Sequence, residues 1–349
     1  MSGNYSLLNN YVVWKGMDRK MNRLINNQKV LFITTKNLDY IRNTQEISML
    51  RQQALRCDVI GSGHKGYIRR LWHVYSTLLV THMSQYDTVF IGFAPQLILP
   101  FWGWKFKKVS IVIDFFISMY DTLCCDRRKI KEKSLLGRIL HGLDKITLKK
   151  ADAVICDTKA HGMYFHEEFG TKKDKIFTMY LQADTSIYYP RNLERPKALN
   201  GKFVILYFGS VLPLQGVDVV FKAMNRLRNY DNLSFFFIGH IEGKELNALR
   251  PISSNIKYID WLPQEKLAEY IDMADLCLAG HFCKSIQKAH RTIPGKAYIY
   301  QAMNKPMILG DSPANHELFR ECEMITFVEM GNERALADAI IQQSKCKRS

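Results

Sequence analysis

The chain has 349 residues, of which 49 are Lys or Arg and 33 are Asp or Glu, giving a formal net charge of +16. Apolar residues make up 47% of the chain and charged residues 23%, which excludes a disordered or low-complexity protein. The length is too great for one typical hydrophobic core and favours two domains. The positive charge leaves nucleic acid, an anionic membrane surface and a phosphorylated substrate as candidate partners.

The eight cysteines include no CxxC pair and no spacing with His that is typical of a metal site. Cys124 and Cys125 are adjacent, which does not suit a framework of disulfides. We therefore expect reduced thiols, a cytoplasmic protein and no metal ion. The N-terminus lacks the long apolar core of a signal peptide.

The stretch Thr88–Trp104 is uncharged and close to the minimum length of a membrane span. It contains two prolines, and its Gly-Phe-Ala-Pro break is typical of a strand that leads into a helix. We expect it not to span a bilayer. Instead, Phe101, Trp102 and Trp104 are expected to contact the headgroup boundary, which indoles favour.

Six short apolar segments in the first half of the chain predict β-strands that alternate with helices. Continuous apolar strands form parallel sheets covered on both faces, and right-handed crossovers then give a doubly wound α/β domain. The predicted strands are Lys29–Thr35, Arg56–Gly63, Tyr86–Phe93, Val109–Phe116, Ala151–Thr158 and Lys175–Leu181, with helices at Gln45–Leu55 and Tyr67–Met83.

A proline-containing, charged segment, residues 191–201, interrupts this alternation and predicts a linker. The alternation then restarts, which predicts a second doubly wound domain. Its predicted strands are Lys202–Ser210, Leu233–His240, Ile256–Leu262, Ala274–Gly280 and Lys305–Asp311. The predicted domains are residues 29–190 and 202–349, after an N-terminal extension of residues 1–28. Two such domains predict an interdomain cleft at the carboxyl ends of both sheets, where ligands bind.

The segment Asp126–Lys150 is rich in Lys and Arg and has Leu and Ile at helical spacing. This pattern is typical of a basic amphipathic helix that lies on an anionic leaflet. It also fits a solvated helix whose apolar face joins the core. Charge reversal at Lys129, Arg138 and Lys149 distinguishes the two, because only the first predicts loss of liposome binding.

Two segments of the second domain are typical of phosphate sites. Gly209 and Gly216 flank a turn between a strand and a helix, where backbone N–H groups can approach a phosphate. Lys288, Arg291 and Lys296 fall within nine residues around the start of a predicted helix, and such cations can neutralise a diphosphate. The turn is neither GxGxxG nor a Walker loop. A plain tight turn and a solvated charge cluster are the alternatives.

Asp114 ends the fourth predicted strand, at the carboxyl edge of the first domain. There it can accept hydrogen bonds from sugar hydroxyls or act as a general base, with a helix N-cap as the alternative. Asp121, Asp126 and Arg127 follow and are candidates on the acceptor side. His161 is a weaker catalytic candidate, because an isolated His is more often structural.

Several segments together resemble bacterial glycosyltransferases of the GT-B fold, most closely family 4 (glycosyl transferases group 1). In the second half they are YFGSVLPLQGVDVVFKAM, FFFIGH, DWLPQEKLAEYIDMADLCLAG and KAHRTIPGKAYIYQAMNKPMILGDSPANHEL. In the first half they are DFFISMYDT, ADAVICDTKAH and ADTSIYYP. The resemblance covers about residues 29–340 and includes a Lys-Ala-x-Arg-x-Ile-Pro-x-Lys motif.

The resemblance implies two Rossmann-like domains and transfer of a sugar from a nucleotide-diphosphate sugar, with retention and without a required metal or other cofactor. It implies that the glycine turn and the three cations bind the donor, and that Asp114 lies near the transferred sugar. With the basic helix, it leads us to expect a glycan or lipid-linked acceptor at the inner face of the plasma membrane. The pathway would be that of a surface polysaccharide such as capsule, O-antigen or lipopolysaccharide.

The chain departs from the family pattern in three places. Arg291 and Ile299 stand where family 4 enzymes commonly have two glutamates, and Gln215 replaces a basic residue often found in the turn. Gln182-Ala183 replaces an Asn-Gly or Gly-Ala pair ahead of Asp184. Ile299 cannot hydrogen-bond a ribose. These departures motivate one alternative, a non-catalytic partner that binds a glycan or a membrane. A second is a nucleotide-sugar epimerase of the same fold, whereas a nucleic-acid binder is disfavoured because no recognition motif is present.

Overall fold

The structure is a computed structural model that describes residues 19–346. The chain divides into two compact units, of which unit 1 ends at Leu181 and unit 2 begins at Gln182. The predicted linker, residues 191–201, lies within unit 2. There the backbone N–H groups of Arg191 and Leu193 donate to the Asp272 carboxylate at 3.0 and 2.8 Å, which attaches this segment to unit 2.

Unit 1 is a parallel sheet of six strands in the order β2-β1-β3-β4-β5-β6. The strands are β1 (Lys29–Thr34), β2 (Arg56–Ile60), β3 (Thr88–Phe93), β4 (Ser110–Asp114), β5 (Ala153–Cys156) and β6 (Ile176–Thr178). The helices are α1 (Arg19–Ile25), α2 (Ile41–Gln53), α3 (Tyr67–Val80), α4 (Leu99–Trp102), α5 (Leu135–Lys150) and α6 (Lys159–Phe169). All six predicted strands are confirmed, and each is shorter than its apolar segment predicted.

Helices cover both faces of the unit 1 sheet because successive residues of a strand face opposite sides. In β1, Leu31 and Ile33 pack with residues of α3, α4, α5 and α6, whereas Val30 and Phe32 pack with residues of α1 and α2. Helices α3 to α6 therefore form one layer, and α1 and α2 form the other. Of the predicted N-terminal extension, residues 1–18 lie outside the described residues, while α1 belongs to the core of unit 1.

The uncharged stretch Thr88–Trp104 forms β3, a short turn and α4. Among residues 19–346, no helix has the length and apolar character needed to cross a bilayer. Trp102 is only 8% exposed, so its predicted contact with headgroups is wrong: the indole packs in the core between α3 and the sheet. Phe101 and Trp104, by contrast, are exposed, Trp104 to 61%.

Unit 2 repeats this architecture in the order β12-β11-β10-β7-β8-β9. The strands are β7 (Phe203–Phe208), β8 (Leu233–Ile238), β9 (Ile256–Ile259), β10 (Leu276–Gly280), β11 (Met307–Gly310) and β12 (Ile325–Val328). The helices are α7 (Val217–Arg226), α8 (Lys244–Leu249), α9 (Gln264–Met273), α10 (Gln287–Arg291), α11 (Gly295–Ala302) and α12 (Glu333–Cys346). The sequence analysis missed β12, an edge strand in which three of the four residues are only partly buried, and α10, whose five residues are too few to show a helical period.

The strand order of unit 2 reverses at β7. Strands β8 and β9 lie on one side of it, and β10, β11 and β12 lie on the other. In doubly wound sheets, ligands bind at the carboxyl ends of the strands where the order reverses. Here that position lies between β7 and β10, just where Gly209 follows one strand and Gly280 ends the other.

Candidate functional site

Lys296, the second residue of α11, lies at the switch point between β7 and β10 of unit 2. It is 6% exposed, and its Nζ donates to Gln215 Oε1 at 2.5 Å. The Nζ also lies 4.5 Å from the centroid of the Tyr207 ring. Burial lowers the pKa of Lys296 from 10.5 to about 7, because desolvation disfavours the charged form. An anion at this position would restore the charge.

Two glycines make room for this amine. A Cβ on Gly280 would lie 2.8 Å from Lys296 Nζ, and one on Gly209 would lie 3.3 Å from Lys296 Cε. Both glycines also have positive φ angles, 90° and 131° respectively. A side chain at either position would therefore strain the backbone and press against the lysine. The predicted glycine turn and the predicted cation belong to one site.

Gly216 is the N-cap of α7 and ends the turn that holds Gln215. Its φ is 66°, and a Cβ here would lie 2.6 Å from both Phe282 C and Cys283 N. The turn is therefore packed directly on the backbone that follows β10. This packing aims the N-terminus of α7, with its unpaired N–H groups and partial positive charge, at the end of the sheet.

We expect Gly216→Ala to destabilise unit 2 more than Gly201→Ala. Both glycines have nearly the same φ, 66° and 70°, but a Cβ on Gly201 would meet no atom within 4 Å. The left-handed backbone alone costs about 1–2 kcal/mol for Ala, and forced contacts at Gly216 add about 1–3 kcal/mol. Urea unfolding of both variants measures the difference, and equal costs would contradict the close packing of the turn.

Lys288 and Arg291 lie on α10, which packs against the turn Pro213–Gln215. Both are partly buried. All three predicted donor-binding cations are therefore on elements that contact the glycine turn, and Lys296 reaches Gln215. Ile299 follows on α11 and is also partly buried, and its side chain offers no hydrogen bond.

His281 was missed by the sequence analysis. It follows Gly280 directly, is buried, and has a left-handed φ of 54° that is uncommon outside glycine. Its Nδ1 lies 2.9 Å from Thr292 O, which connects β10 to the segment ahead of α11. Backbone strain of this kind clusters at functional sites. The only signal in the sequence was a Gly-His pair at the end of a strand.

Asp114 is the last residue of β4, as predicted, and is buried. Its two carboxylate oxygens accept hydrogen bonds from Arg42 Nε at 2.7 Å and Arg42 Nη2 at 2.9 Å. Arg42 also donates to Met179 O at 2.7 Å. Because one guanidinium occupies a lone pair on each oxygen, Asp114 can act as a general base only at the remaining lone pairs or after this bidentate pair opens. The helix N-cap alternative does not describe this contact.

Glu46 lies one helical turn beyond Arg42 on α2, with Oε1 3.8 Å from Arg42 Nε. Burial, together with the nearby Asp114 carboxylate, raises the pKa of Glu46 well above its usual range. Burial thus favours the protonated form of Glu46, and Arg42 pairs with Asp114. The sequence analysis did not identify Arg42 or Glu46 as site residues. Their signal was a pair of opposite charges four residues apart, on the same side of α2 as the buried Leu50.

Of the remaining candidate residues of unit 1, some are buried and others are exposed. Asp121 and Asp126 are buried in a π-helical turn, and the Asp121 N–H donates to Ser118 Oγ at 2.9 Å. Arg127 is exposed, as are Lys129 and Arg138. His161 is buried, with Nδ1 2.6 Å from Asp157 Oδ1, the arrangement of a structural histidine. Within the described part of the chain, no three His, Cys, Asp or Glu side chains gather where a metal ion could bind.

Residues 202–345 match the family described as glycosyl transferases group 1. A probable glycosyltransferase of Pseudomonas aeruginosa, WbjE, is 23% identical over 252 residues, which are 67% of this chain and 60% of that protein. The aligned region thus spans less than two thirds of this relative. The family match and the second unit coincide, since unit 2 begins at Gln182.

Solved structures share the fold over nearly the whole chain. HepE of Anabaena in complex with UDP has a TM-score of 0.65 at 13% identity, over 91% of this chain and 90% of HepE. Sucrose-phosphate synthase of Thermosynechococcus elongatus has a TM-score of 0.64 at 12% identity, again over 91% and 90%. With two parallel six-stranded sheets, the chain has the GT-B fold of these structures, and its residues 202–345 match the glycosyl transferases group 1.

Proposed function

We propose that the chain transfers a sugar from a nucleoside-diphosphate sugar to an acceptor hydroxyl. The observation that carries this proposal is the buried amine of Lys296 between Gly209 and Gly280, at the switch point of unit 2. Lys296 donates to the neutral amide oxygen of Gln215, which cannot balance a positive charge, so an anionic ligand would supply the counter-charge. The structures of HepE with UDP and with UDP-glucose support a nucleotide sugar as that ligand.

In the proposed reaction, the bond between the anomeric carbon and the diphosphate oxygen breaks, and the electron pair stays on the diphosphate. Lys296 and the N-terminus of α7 stabilise the developing negative charge, with Lys288 and Arg291 as additional cations. Lys296 thereby takes the place of the basic residue that Gln215 replaces in the turn. The cation comes from α11 rather than from the turn itself.

The acceptor oxygen bonds to the anomeric carbon and loses its proton. We assign that proton to the departing diphosphate rather than to Asp114, because Arg42 holds both oxygens of Asp114. Transfer of the proton on the face that the diphosphate leaves gives retention of configuration. Asp114 is then a structural residue that ties the end of β4 to α2.

The acceptor is proposed to be a glycan or a lipid-linked glycan in the synthesis of a surface polysaccharide. This assignment rests on the family resemblance and on the basic, apolar surface of unit 1 described below. It predicts that the donor alone is not converted to an isomeric sugar, which separates the proposal from an epimerase of the same fold.

A thermal-shift screen of UDP, GDP, ADP, CMP and their sugars tests the donor. A nucleotide present at 100 times its Kd stabilises the protein by about 2.7 kcal/mol, so we expect one base to raise the melting temperature clearly. Arg291→Ala should reduce this shift, and Arg334→Ala, an exposed arginine of α12, should not. If no nucleotide changes the melting temperature, the alternative of a non-catalytic partner is favoured. The missing ribose hydrogen bond at Ile299 would then explain the loss of nucleotide binding.

A further inference from the structure

Helices α3, α4 and α5 expose large apolar side chains on the outer side of their layer. Their inner residues, such as Val74, Leu99 and Leu148, pack in the core on one face of the unit 1 sheet. The outer residues are exposed, Trp72 to 72% and Leu135 to 76%. We call this surface the apolar face; its main residues are Ile68, Trp72, Trp104, Leu135, Ile139 and Ile146.

The exposed residues follow the period of each helix. Leu135, Ile139 and Ile146 are four and seven residues apart on α5, so they line one side of that helix. Ile68 and Trp72 line α3 in the same way. Apolar stripes of this kind normally face a core, yet both are exposed here. On α5, Leu135, Ile139 and Ile146 therefore do not join the core, whereas Leu140 and Leu143 of the same predicted stripe are partly buried.

Short helix α4 connects the two stripes. The Tyr75 ring of α3 meets the Trp102 ring edge to face at 5.4 Å, and Trp102 stacks on Trp104 at 6.3 Å between centroids. On its other side, α4 packs against α5. Because the inner residues of all three helices pack in one core, their exposed apolar side chains lie on the same side of the sheet.

The charged side chains that α3, α4 and α5 themselves expose have one sign. The three helices contain a single carboxylate, Asp144, and it is buried, with Ser118 Oγ donating to it at 2.6 Å. Arg138, Lys145 and Lys149 lie beside the stripe on α5 and are exposed. A solvated helix usually carries both signs on its surface. An apolar stripe on helices that expose only cations is complementary to an anionic, partly apolar partner.

We propose that the apolar face docks on an anionic bilayer, with α3 and α5 lying in the plane of the interface. The aliphatic side chains enter the boundary of the acyl chains, the indoles of Trp72 and Trp104 lie at headgroup level, and the cations contact lipid phosphates. A symmetric contact between two copies would bring the same cations together and is disfavoured. This inference does not depend on the nucleotide site of unit 2.

Vesicle co-sedimentation of the full chain tests the apolar contribution. We expect binding to phosphatidylcholine vesicles that contain 30% phosphatidylglycerol, and a more than tenfold weaker partition for the triple variant Leu135→Ser, Ile139→Ser, Ile146→Ser. The control triple Leu249→Ser, Ile252→Ser, Trp261→Ser removes exposed apolar residues of unit 2 and should bind as the wild type does. A circular dichroism melt checks that both variants are folded.

A second pair of triple variants, one at the apolar face and one control in unit 2, tests the contribution of the cations. Arg138→Glu, Lys145→Glu and Lys149→Glu together should weaken binding at least 100-fold, because each cation near an anionic membrane contributes about 1 kcal/mol. Lys244→Glu, Arg320→Glu and Arg334→Glu make the same change in net charge at exposed positions of unit 2 and should bind within a few-fold of the wild type. Vesicles of phosphatidylcholine alone should bind weakly and without this difference.

Two results would overturn the proposal. One is a wild-type protein that does not sediment with anionic vesicles, or control variants that lose as much binding as the variants of the apolar face do. The other is an oligomer, seen by light scattering, that the Ser triple on α5 dissociates in the absence of any vesicle binding. In that case the apolar face joins copies of this chain.

Discussion

Replacing Lys296 with Met should weaken nucleotide binding and transfer by a factor of about 10² to 10³, the usual loss when one donor to a developing anion is removed. Met keeps the length of the side chain and removes the charge that the diphosphate meets. The variant should remain folded. Met loses the hydrogen bond to Gln215, but it also removes the desolvation cost of burying an amine, and the two effects offset each other. Titration calorimetry measures the affinity, and a melt measures stability.

Proton uptake on binding is a sharper readout of the same residue. With a pKa of about 7, Lys296 is mostly neutral at pH 8 in the free protein, by roughly ten to one. A bound diphosphate favours the charged form and raises this pKa. Binding at pH 8 should therefore take up nearly one proton. Calorimetry in two buffers of different ionisation enthalpy measures the number of protons taken up. This number should fall to near zero at pH 6 and in Lys296→Met.

The same lowered pKa affects stability without a ligand. Between pH 7 and 10.5, the unfolded chain binds more protons at Lys296 than the folded chain does. The free energy of unfolding should therefore rise with pH in this window, relative to Lys296→Met. A Met variant that binds nucleotide normally and takes up the same proton would contradict the proposed role, and would assign the diphosphate to Lys288 and Arg291.

Arg42→Met should destabilise unit 1 by about 3–5 kcal/mol, the cost of leaving a buried charge without its partner. The variant keeps Asp114 buried and removes the guanidinium that holds both of its oxygens. The double variant Arg42→Met, Asp114→Leu removes both charges and should recover most of the loss. Arg56→Met, which breaks an exposed pair with Asp58, should cost less than about 1 kcal/mol. Urea unfolding compares the three.

The double variant also tests the chemistry assigned to Asp114. If the leaving diphosphate takes the acceptor proton, the folded double variant should keep transfer activity with any nucleotide that the screen identifies. A double variant that is stable but inactive would return Asp114 to the role of general base. Equal destabilisation of the single and double variants would instead show that packing, rather than charge pairing, dominates at this position.

The sequence alone was sufficient for the features that depend on neighbouring residues. Runs of apolar residues predicted eleven of the twelve strands, because a buried parallel strand is apolar on both faces and short enough to be read locally. The glycine turn and the cations from Lys288 to Lys296 likewise predicted a phosphate site, which stays a prediction, and the structure brings Lys296 to the turn. Strand β12 was not predicted, because it is a mostly half-buried edge strand, and helix α10 was not predicted, because five residues are too few to show a helical period.

Only the tertiary structure decided which residues meet and which are buried. Lys296 and Gln215 are 81 residues apart, and Arg42 and Asp114 are 72 apart, so no local pattern links them. Burial also decides the chemistry, because it gives Lys296 a pKa of about 7 and engages Asp114 in an ion pair. On α5, the sequence showed an apolar stripe but not the side it faces. That side depends on which surface of the helix the sheet covers, and here the sheet covers the other one.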